Sequence, residues 1–125
     1  MPGRKKKDPQ KLLIGTILEA MKDKIAKNPV VLDFSKIKST VCDAFVICHG
    51  NSRTQVDAIA QYVIEEVKKA TGLNPWHKEG FENAEWILID YGDVVIHIFQ
   101  EERRKFYNLE RLWGDANTIL METTE

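Results

Sequence analysis

The chain has 125 residues, of which 43% are hydrophobic and 30% are charged, which is the composition of an ordinary globular domain. Lys and Arg total 18 against 19 Asp and Glu, and a domain that grips a long stretch of nucleic acid is usually strongly basic, so such a groove is disfavoured. No apolar run reaches the roughly 18 residues of a membrane-spanning helix, and the basic start lacks the apolar segment of a secretory signal.

Residues 1–8 are predicted to be a basic tail, solvated along residues 4–7, with a weak electrostatic tether to RNA as the alternative. Asp8 and Pro9 are typical of a helix start, since Asp caps helices and proline suits the first helical position. Apolar residues recur every four positions and predict an amphipathic helix that ends near residues 28–29. The stripe consists of Leu13, Ile17, Met21 and Ile25.

Two short strands are predicted next, over residues 30–34 and residues 43–48. The second is apolar at every position from residue 44 to residue 48, which is typical of a strand that is covered on both faces. Cys42 and Cys48 lie in or beside this run, so we expect free, buried thiols. Two cysteines are too few for a cysteine-rich zinc site, and free thiols suit a reducing cytoplasm.

A glycine turn then leads into a second helix. Ser52 and Gln55 fit the S-x-x-Q capping box, and Gly72 is a natural helix end. A right-handed crossover to a parallel strand is the default after such a helix. Residues 75–80, PWHKEG, are the only candidate for that strand before the next apolar run, and Pro75 suits a first or an edge position.

Residues 86–99, WILIDYGDVVIHIF, predict a hairpin. If Tyr91 and Gly92 form its loop, Asp90 lies opposite Asp93 and Trp86 lies opposite His97. One face then consists of Ile87, Ile89, Val94, Ile96 and Ile98. The other consists of Trp86, Leu88, Val95, His97 and Phe99, with the two aspartates at the turn end. Both faces are largely apolar, so we expect helices on both sides of the sheet.

A last amphipathic helix is predicted within residues 101–116, with Gly114 ending it. Its inward side chains are Phe106, Leu109, Leu112 and Trp113. Residues 117–125 are predicted to be a C-terminal tail. Together the elements predict one α/β (α+β) domain over residues 9–116, with a mixed sheet of about five strands and helices on both faces.

The candidate catalytic groups each have a structural interpretation. Gly50 and Ser52 resemble the glycine–serine signature of nucleotidyltransferases, and a helix N-terminus there could hold a phosphate, yet Ser52 already serves as a cap. Two-metal transfer needs converging carboxylates, but the chain has no acid-x-acid spacing. Asp90 and Asp93 suit a turn, and His97 among apolar neighbours suits a buried histidine. No catalytic residue, metal or cofactor is therefore expected, and a nucleotide-binding or nucleotidyltransferase-like enzyme remains the alternative.

Several segments resemble the Iojap-related ribosome silencing factors: DAFVICHGNSRTQVDAIAQYV at residues 43–63, Glu-Gly at residues 79–80, and AEWILIDYGDVVIHIFQEERRKFYNLERLWGDA at residues 84–116. The most specific parts are WILIDYGDVVIHIF and RKFYNLERLW, in order and correctly separated. The resemblance runs from the first helix to about residue 116. One departure is His49, where the family would place a small or hydroxylated residue.

The resemblance implies a nucleotidyltransferase-like fold without that catalysis. It also implies a cytoplasmic protein that binds a ribosomal protein on the intersubunit face of the large subunit. There it would block joining of the small subunit, lower translation when nutrients are short, and take part in large-subunit maturation. A net charge near zero fits docking on a ribosomal protein, with little direct rRNA contact. The protein could form a homodimer when it is not bound to the ribosome.

By the same resemblance, the partner-binding residues are Trp86 and Tyr91, with Asp90 and Glu79 as additions. Tyr91 lies at the predicted turn, so we expect it to be exposed and to bracket one docking strip together with Trp86. Aromatic side chains with a polar tip are common interface anchors. The alternative for Trp86 is a core tryptophan packed over the sheet.

Overall fold

A computed structural model describes residues 8–37, 42–112 and 117–120. The helices within these ranges are α1 (Pro9–Asp23), α2 (Arg53–Thr71), α3 (Glu101–Tyr107) and α4 (Leu109–Leu112). The strands are β1 (Lys27–Asp33), β2 (Ala44–Gly50), β3 (His77–Glu79), β4 (Trp86–Asp90), β5 (Val94–Gln100) and β6 (Asn117–Leu120).

The strands form one mixed sheet in the order β3-β4-β5-β2-β1-β6. β2 and β5 are parallel, and the other neighbouring strands are antiparallel. The predicted mixed sheet is confirmed, with six strands in the described ranges instead of about five. The additional strand is β6, which pairs with β1. The sheet therefore continues past residue 116, where the sequence predicted a tail.

The helices α1 and α2 pack against each other and cover one face of the sheet. Their buried side chains meet the aliphatic face of the β4–β5 hairpin in one core. Representative members are Ile17 and Met21 of α1, Ile59 and Val63 of α2, and Ile87, Ile89, Ile96 and Ile98 of the hairpin. Full burial of each such side chain contributes about 1.5–3 kcal/mol. The short helices α3 and α4 lie on the other face, so the prediction of helices on both faces is confirmed.

α1 begins as predicted but ends earlier. The Asp8 side chain accepts a hydrogen bond from the backbone N–H of Gln10, and Pro9 is the first helical residue. The helix ends at Asp23, and Ile25 takes a φ of 57° in the left-handed region. Because the helix has already ended, Ile25 is 65% exposed, and its predicted place on the buried stripe is wrong.

α2 has both of the predicted ends. The Ser52 hydroxyl accepts a hydrogen bond from the backbone N–H of Gln55 at 3.1 Å. The Gln55 side chain in turn accepts one from the backbone N–H of Asn51 at 2.7 Å, one residue earlier than in the usual capping box. Gly72 takes a φ of 79°, and its N–H donates to the carbonyl of Lys68.

The strand after α2 lies in a different place from the one expected. β3 runs in the same direction as β2, but it forms the edge of the sheet and pairs antiparallel with β4. The parallel neighbour of β2 is β5. The hairpin therefore lies between the two strands that the crossover joins. All of β3 is exposed, which agrees with the edge position that Pro75 suggested.

The last predicted helix is broken in two at Asn108, which has a φ of 46°. Leu109 is buried as predicted, but Phe106 and Leu112 are 75% and 70% exposed, so their predicted inward positions are wrong. The left-handed conformation of Asn108 interrupts the helix, so a single apolar stripe does not continue through α3 and α4. Trp113 and the predicted end of the helix lie outside the described residues.

Candidate functional site

The two faces of the β4–β5 hairpin contain the predicted side chains, but the two strands pair in a different register from the predicted one. Trp86 lies opposite Phe99, whereas the sequence analysis placed it opposite His97. Asp90 lies opposite Val95. The register differs from the predicted one by two residues, and side chains alternate with a period of two, so every side chain stays on its predicted face.

The turn explains the register. The backbone N–H of Tyr91 donates to the carbonyl of Val94 at 2.9 Å, so Gly92 and Asp93 form the loop pair. Gly92 takes a φ of 92°, a conformation that glycine adopts without steric cost. The Asp90 carboxylate accepts a hydrogen bond from the backbone N–H of Gly92 at 2.7 Å. Asp90 thus has the local turn role that aspartate often fills.

Tyr91 is buried, so the expectation that it is exposed is wrong. It is 7% exposed and belongs to the core that α1 and α2 cover. Burial raises the pKa of its phenol to about 12. Its hydroxyl has no hydrogen-bond partner among the described residues. The alternation along β4 continues through this position, and it directs the ring towards the helices, away from the face that carries Trp86.

Three of the four predicted partner-binding residues do share one face. In the pairing of β3 with β4, Glu79 lies opposite Leu88 and His77 lies opposite Asp90. Since alternate residues of a strand point the same way, Trp86, Leu88, Asp90 and Glu79 lie on one side of the sheet. We call these four residues the β3–β4 face. Trp86, Leu88 and Asp90 are half-buried, and Glu79 is exposed.

The indole ring of Trp86 is packed on its faces without being enclosed. It stacks on Phe99, with ring centroids 5.0 Å apart, and it lies 4.5 Å from the ring of Tyr107. Its Nε1–H donates a hydrogen bond to Nδ1 of His97 at 3.0 Å. Trp86 therefore has features of both a core tryptophan and an interface anchor, because its ring packs over the sheet and part of it remains open to solvent.

His97 is buried, as predicted, and it lies beneath this tryptophan. It is 4% exposed, and its ring lies 4.4 Å from that of Phe45. Burial lowers the pKa of His97 to about 4, so the ring is neutral at neutral pH. Because Nδ1 accepts the hydrogen bond from Trp86, the proton lies on Nε2. That nitrogen has no hydrogen-bond partner among the described residues.

Arg104 joins the short helices to this side of the sheet. It is 8% exposed, and its guanidinium donates to the carboxylate of Glu110 at 2.8 and 3.1 Å and to the carbonyl of Lys27 at 3.3 Å. It also lies 2.9 Å from Nδ1 of His49. Burial, followed by the charge of Arg104, lowers the pKa of His49. The unexpected His49 is thus a partner of a buried arginine.

The sequence contained no clear signal for Arg104. It lies in a run of charged residues that is typical of a solvated helix face. Only the three-dimensional packing of α3 and α4 on β1 and β2 brings its partners together.

The two cysteines and Asp93 lie in structural environments. Cys42 and Cys48 are both buried, and neither forms a disulfide within the described residues, as predicted. The carbonyl of Asp93 accepts hydrogen bonds from the backbone N–H groups of Asp43 and Ala44, at 2.7 and 3.1 Å. Within residues 8–37, 42–112 and 117–120, no cluster of three or more His, Cys, Asp or Glu is arranged to hold a metal ion. No helix in the same ranges is long and apolar enough to cross a membrane.

Trp76 is an exposed aromatic residue that the sequence analysis did not single out. It is 81% exposed, and its backbone N–H donates to the carbonyl of Asp90 at 2.8 Å. Its ring lies over Gly92, where an added methyl group would approach it to 3.2 Å. The available signal was an isolated aromatic in the polar segment NPWHKEG, which has no apolar periodicity. Trp76 therefore places an exposed aromatic ring beside the turn that follows β4.

The comparison with protein families gives a match along almost all of the chain. The model described as "Ribosomal silencing factor during starvation" matches residues 6–125. The chain belongs to the ribosomal silencing factor family. The resemblance read from WILIDYGDVVIHIF and RKFYNLERLW is therefore confirmed. The first of these segments forms β4, its turn and β5, and the second runs from α3 through α4 as far as the structure describes it.

Known members and solved structures agree with this assignment. Ribosomal silencing factor RsfS of Halalkalibacterium halodurans is 46% identical over 110 residues, which cover 88% of this chain and 92% of that protein. A crystal structure of a protein from Chromobacterium violaceum matches with a TM-score of 0.79 at 35% identity, covering 86% of this chain and 88% of that one. The mouse protein named "Mitochondrial assembly of ribosomal large subunit protein 1" is 36% identical over 73 residues, covering 57% of this chain and 32% of that protein.

Proposed function

We propose that this ribosomal silencing factor acts in the cytoplasm by binding a ribosomal protein on the intersubunit face of the large subunit. Bound there, it prevents the small subunit from joining and so represses translation. Membership of the family supports the ribosomal setting. The name of the mouse relative, which refers to assembly of the large subunit, supports the choice of subunit and a second role in its maturation.

We assign the contact to the β3–β4 face. The observation that carries this assignment is the half-buried Trp86, which lies on a sheet face beside the half-buried Leu88. Large aromatic side chains that are held rigidly and left partly open supply much of the energy at protein interfaces. Asp90 and Glu79 would form a polar rim, and their negative charge suits a basic partner surface. Tyr91 is left out because it is buried in the opposite core.

The mechanism is steric and needs no cofactor and no enzymatic step. Two partners cannot occupy one face of the large subunit, so binding alone prevents joining. The groups that a nucleotidyltransferase-like enzyme would use have other tasks here: Ser52 caps α2, Asp90 closes the hairpin turn, and His97 is buried under Trp86. These engagements favour a binding protein over the enzymatic alternative.

The test is co-sedimentation of the protein with purified large and small subunits. Wild-type protein should sediment with large subunits only. Truncation of an interface anchor costs about 2 kcal/mol or more, so Trp86→Ala should bind large subunits roughly thirty-fold more weakly. Thermal melts of each variant establish that it remains folded under the conditions of the binding assay.

A matched pair of leucines serves as the control. Leu88 lies on the β3–β4 face, while Leu12 is 37% exposed on α1, in the helix layer on the opposite side of the sheet. Leu88→Ala should weaken binding, and Leu12→Ala should leave it unchanged. Equal binding by wild type, Trp86→Ala and Leu88→Ala would show that the docking surface lies elsewhere. Sedimentation with small subunits alone would contradict the choice of partner.

A further inference from the structure

We propose that His97 is a positioning residue for docking: its Nδ1 holds the indole N–H of Trp86 and so sets which edge of the ring faces the partner. This inference rests on the proposed contact through the β3–β4 face. It adds a residue that does not itself touch the partner, because His97 is buried beneath Trp86.

The geometry of the sheet makes this contact directional. Trp86 lies opposite Phe99, and His97 lies opposite Leu88, so Trp86 and His97 are diagonal neighbours on one face. The stacking of the indole on Phe99, at an interplanar angle of 28°, and its contact with Tyr107 restrict the plane of the ring. Stacking alone would also accept a flip about χ2, which keeps the plane of the ring but exchanges its two edges. The 3.0 Å hydrogen bond to His97 determines that the Nε1 edge points inward, which leaves the opposite edge for a partner.

The remaining surroundings of His97 do not explain a histidine at this position. Its neighbours include the rings of Phe45 and Phe99, which an aliphatic or aromatic side chain would also contact. Among the described residues, the imidazole ring forms one hydrogen bond, the one from Trp86, and its buried Nε2 has no partner. A buried donor without a partner lowers stability. An apolar residue would avoid that cost, but it would not accept the indole N–H.

The decisive experiment compares two nearly isosteric substitutions, His97→Asn and His97→Leu. Both remove the ring and its contact with Phe45, so they lose similar packing. Asparagine carries its side-chain oxygen on Cγ, as histidine carries Nδ1, and it can still accept the indole N–H, whereas leucine has no acceptor. Binding to purified large subunits should therefore be about tenfold weaker for His97→Leu than for His97→Asn, the effect of one lost hydrogen bond.

The order of stability should be the reverse of the order of binding. A buried amide is less favourable in a strand than a leucine, so His97→Leu should melt at a higher temperature than His97→Asn. A purely structural role for His97 predicts that binding follows stability. If the leucine variant does not fold, His97→Phe replaces it, because phenylalanine keeps a ring in place and also lacks an acceptor.

The indole N–H resonance of Trp86 gives a readout that is independent of binding. It can be assigned in a ¹H–¹⁵N spectrum as the signal that is missing in Trp86→Phe. This resonance should remain close to its wild-type position in His97→Asn and should move in His97→Leu, with faster exchange with solvent, because the hydrogen bond is lost.

Failure of this inference is distinguishable from failure of the docking proposal. If Trp86→Ala binds weakly while His97→Asn and His97→Leu bind alike, the positioning role is overturned and the docking face stands. If the resonance of Trp86 is the same in both His97 variants, the positioning role is also overturned. If Trp86→Ala binds as wild type does, the docking face itself is wrong, and the positioning role falls with it.

Discussion

Gly80 provides a sharp test of the structure around Trp86, the tryptophan proposed for docking. It takes a φ of 90°, and a Cβ atom at this position would lie 2.0 Å from the carbonyl oxygen of Trp86. The glycine carbonyl also accepts a hydrogen bond from the backbone N–H of Ala84 at 2.9 Å. Gly80→Ala therefore introduces two kinds of strain into the segment that leads into β4: a left-handed backbone conformation for alanine and a clash of its Cβ with the Trp86 carbonyl oxygen.

The size of the effect follows from comparing Gly80 with two other glycines. Gly15 lies in α1 with nothing near its added methyl group, so Gly15→Ala should stabilise the protein by about 0.5–1 kcal/mol. Gly72 has a φ of 79° and equally open surroundings, so Gly72→Ala should cost about 1–2 kcal/mol for the left-handed conformation alone. Gly80→Ala adds a backbone clash, and its total cost should be about 2–5 kcal/mol.

The three alanine variants can be ranked by urea denaturation, with thermal melts as a second probe. The expected order of stability is Gly15→Ala, wild type, Gly72→Ala and then Gly80→Ala. Gly80→Ala should also weaken binding to large subunits, since the clash displaces the backbone of Trp86. If Gly80→Ala is as stable as Gly72→Ala, the close approach of Gly80 to Trp86 is wrong. A destabilised Gly15→Ala would contradict the open environment described for α1.

Three further predictions concern Ser52, His97 and Asp90. Ser52→Ala should lower the free energy of unfolding by about 0.5–2 kcal/mol while Ser52→Asn is tolerated; urea melts check this, and equal losses in both variants would contradict the cap. Because the folded pKa of His97 is about 4 against a usual 6.5, the unfolded chain binds the proton more readily. Stability should therefore decrease as pH falls from about 6.5 towards 4, by up to roughly 3 kcal/mol, and urea melts of His97→Leu should lack this part of the decrease. No metal-dependent incorporation of label from a nucleotide is expected, and incorporation that Asp90→Asn abolishes would contradict the non-enzymatic mechanism.

Alternation of side chains made the faces of the hairpin predictable, whereas its register depended on details of the turn. A period of two assigns Trp86 and His97 to one face whether the loop pair is Tyr91–Gly92 or Gly92–Asp93, because the two registers differ by two residues and such a displacement preserves the sides. The register itself follows from the Asp90–Gly92 hydrogen bond and the positive φ of Gly92. The same turn directs Tyr91 into the core, so a position near a turn was a poor guide to its exposure.

Other differences arise where the backbone departs from regular structure without a glycine or proline to signal it. Ile25 and Asn108 both have positive φ values. Ile25 lies two residues beyond the end of α1, and Asn108 divides α3 from α4. β-Branched residues such as isoleucine rarely adopt this conformation, so nothing in the local sequence marked the end of α1 at Asp23. The partners of Arg104 come from three separate parts of the chain, which only tertiary packing brings together.

The resemblance to a family carried information that the residue patterns did not. Patterns alone disfavoured catalysis and predicted a sheet with helices on both faces, but they did not identify a ribosomal partner. The family assignment supplies that setting, and the structure then limits which of the predicted residues can face a partner. Trp86, Asp90 and Glu79 share a face and remain candidates, whereas Tyr91 does not.

The central claim is that binding through the β3–β4 face prevents subunit joining. It is tested by adding small subunits to large subunits that were first incubated with the protein, and by following joined ribosomes by light scattering. Wild-type protein should reduce joining, and a higher concentration of small subunits should relieve the block, as expected for steric competition. Trp86→Ala should leave joining close to the level without protein, and Leu12→Ala should block as wild type does. Unimpaired joining on large subunits saturated with wild-type protein, or a full block by folded Trp86→Ala, would contradict the account.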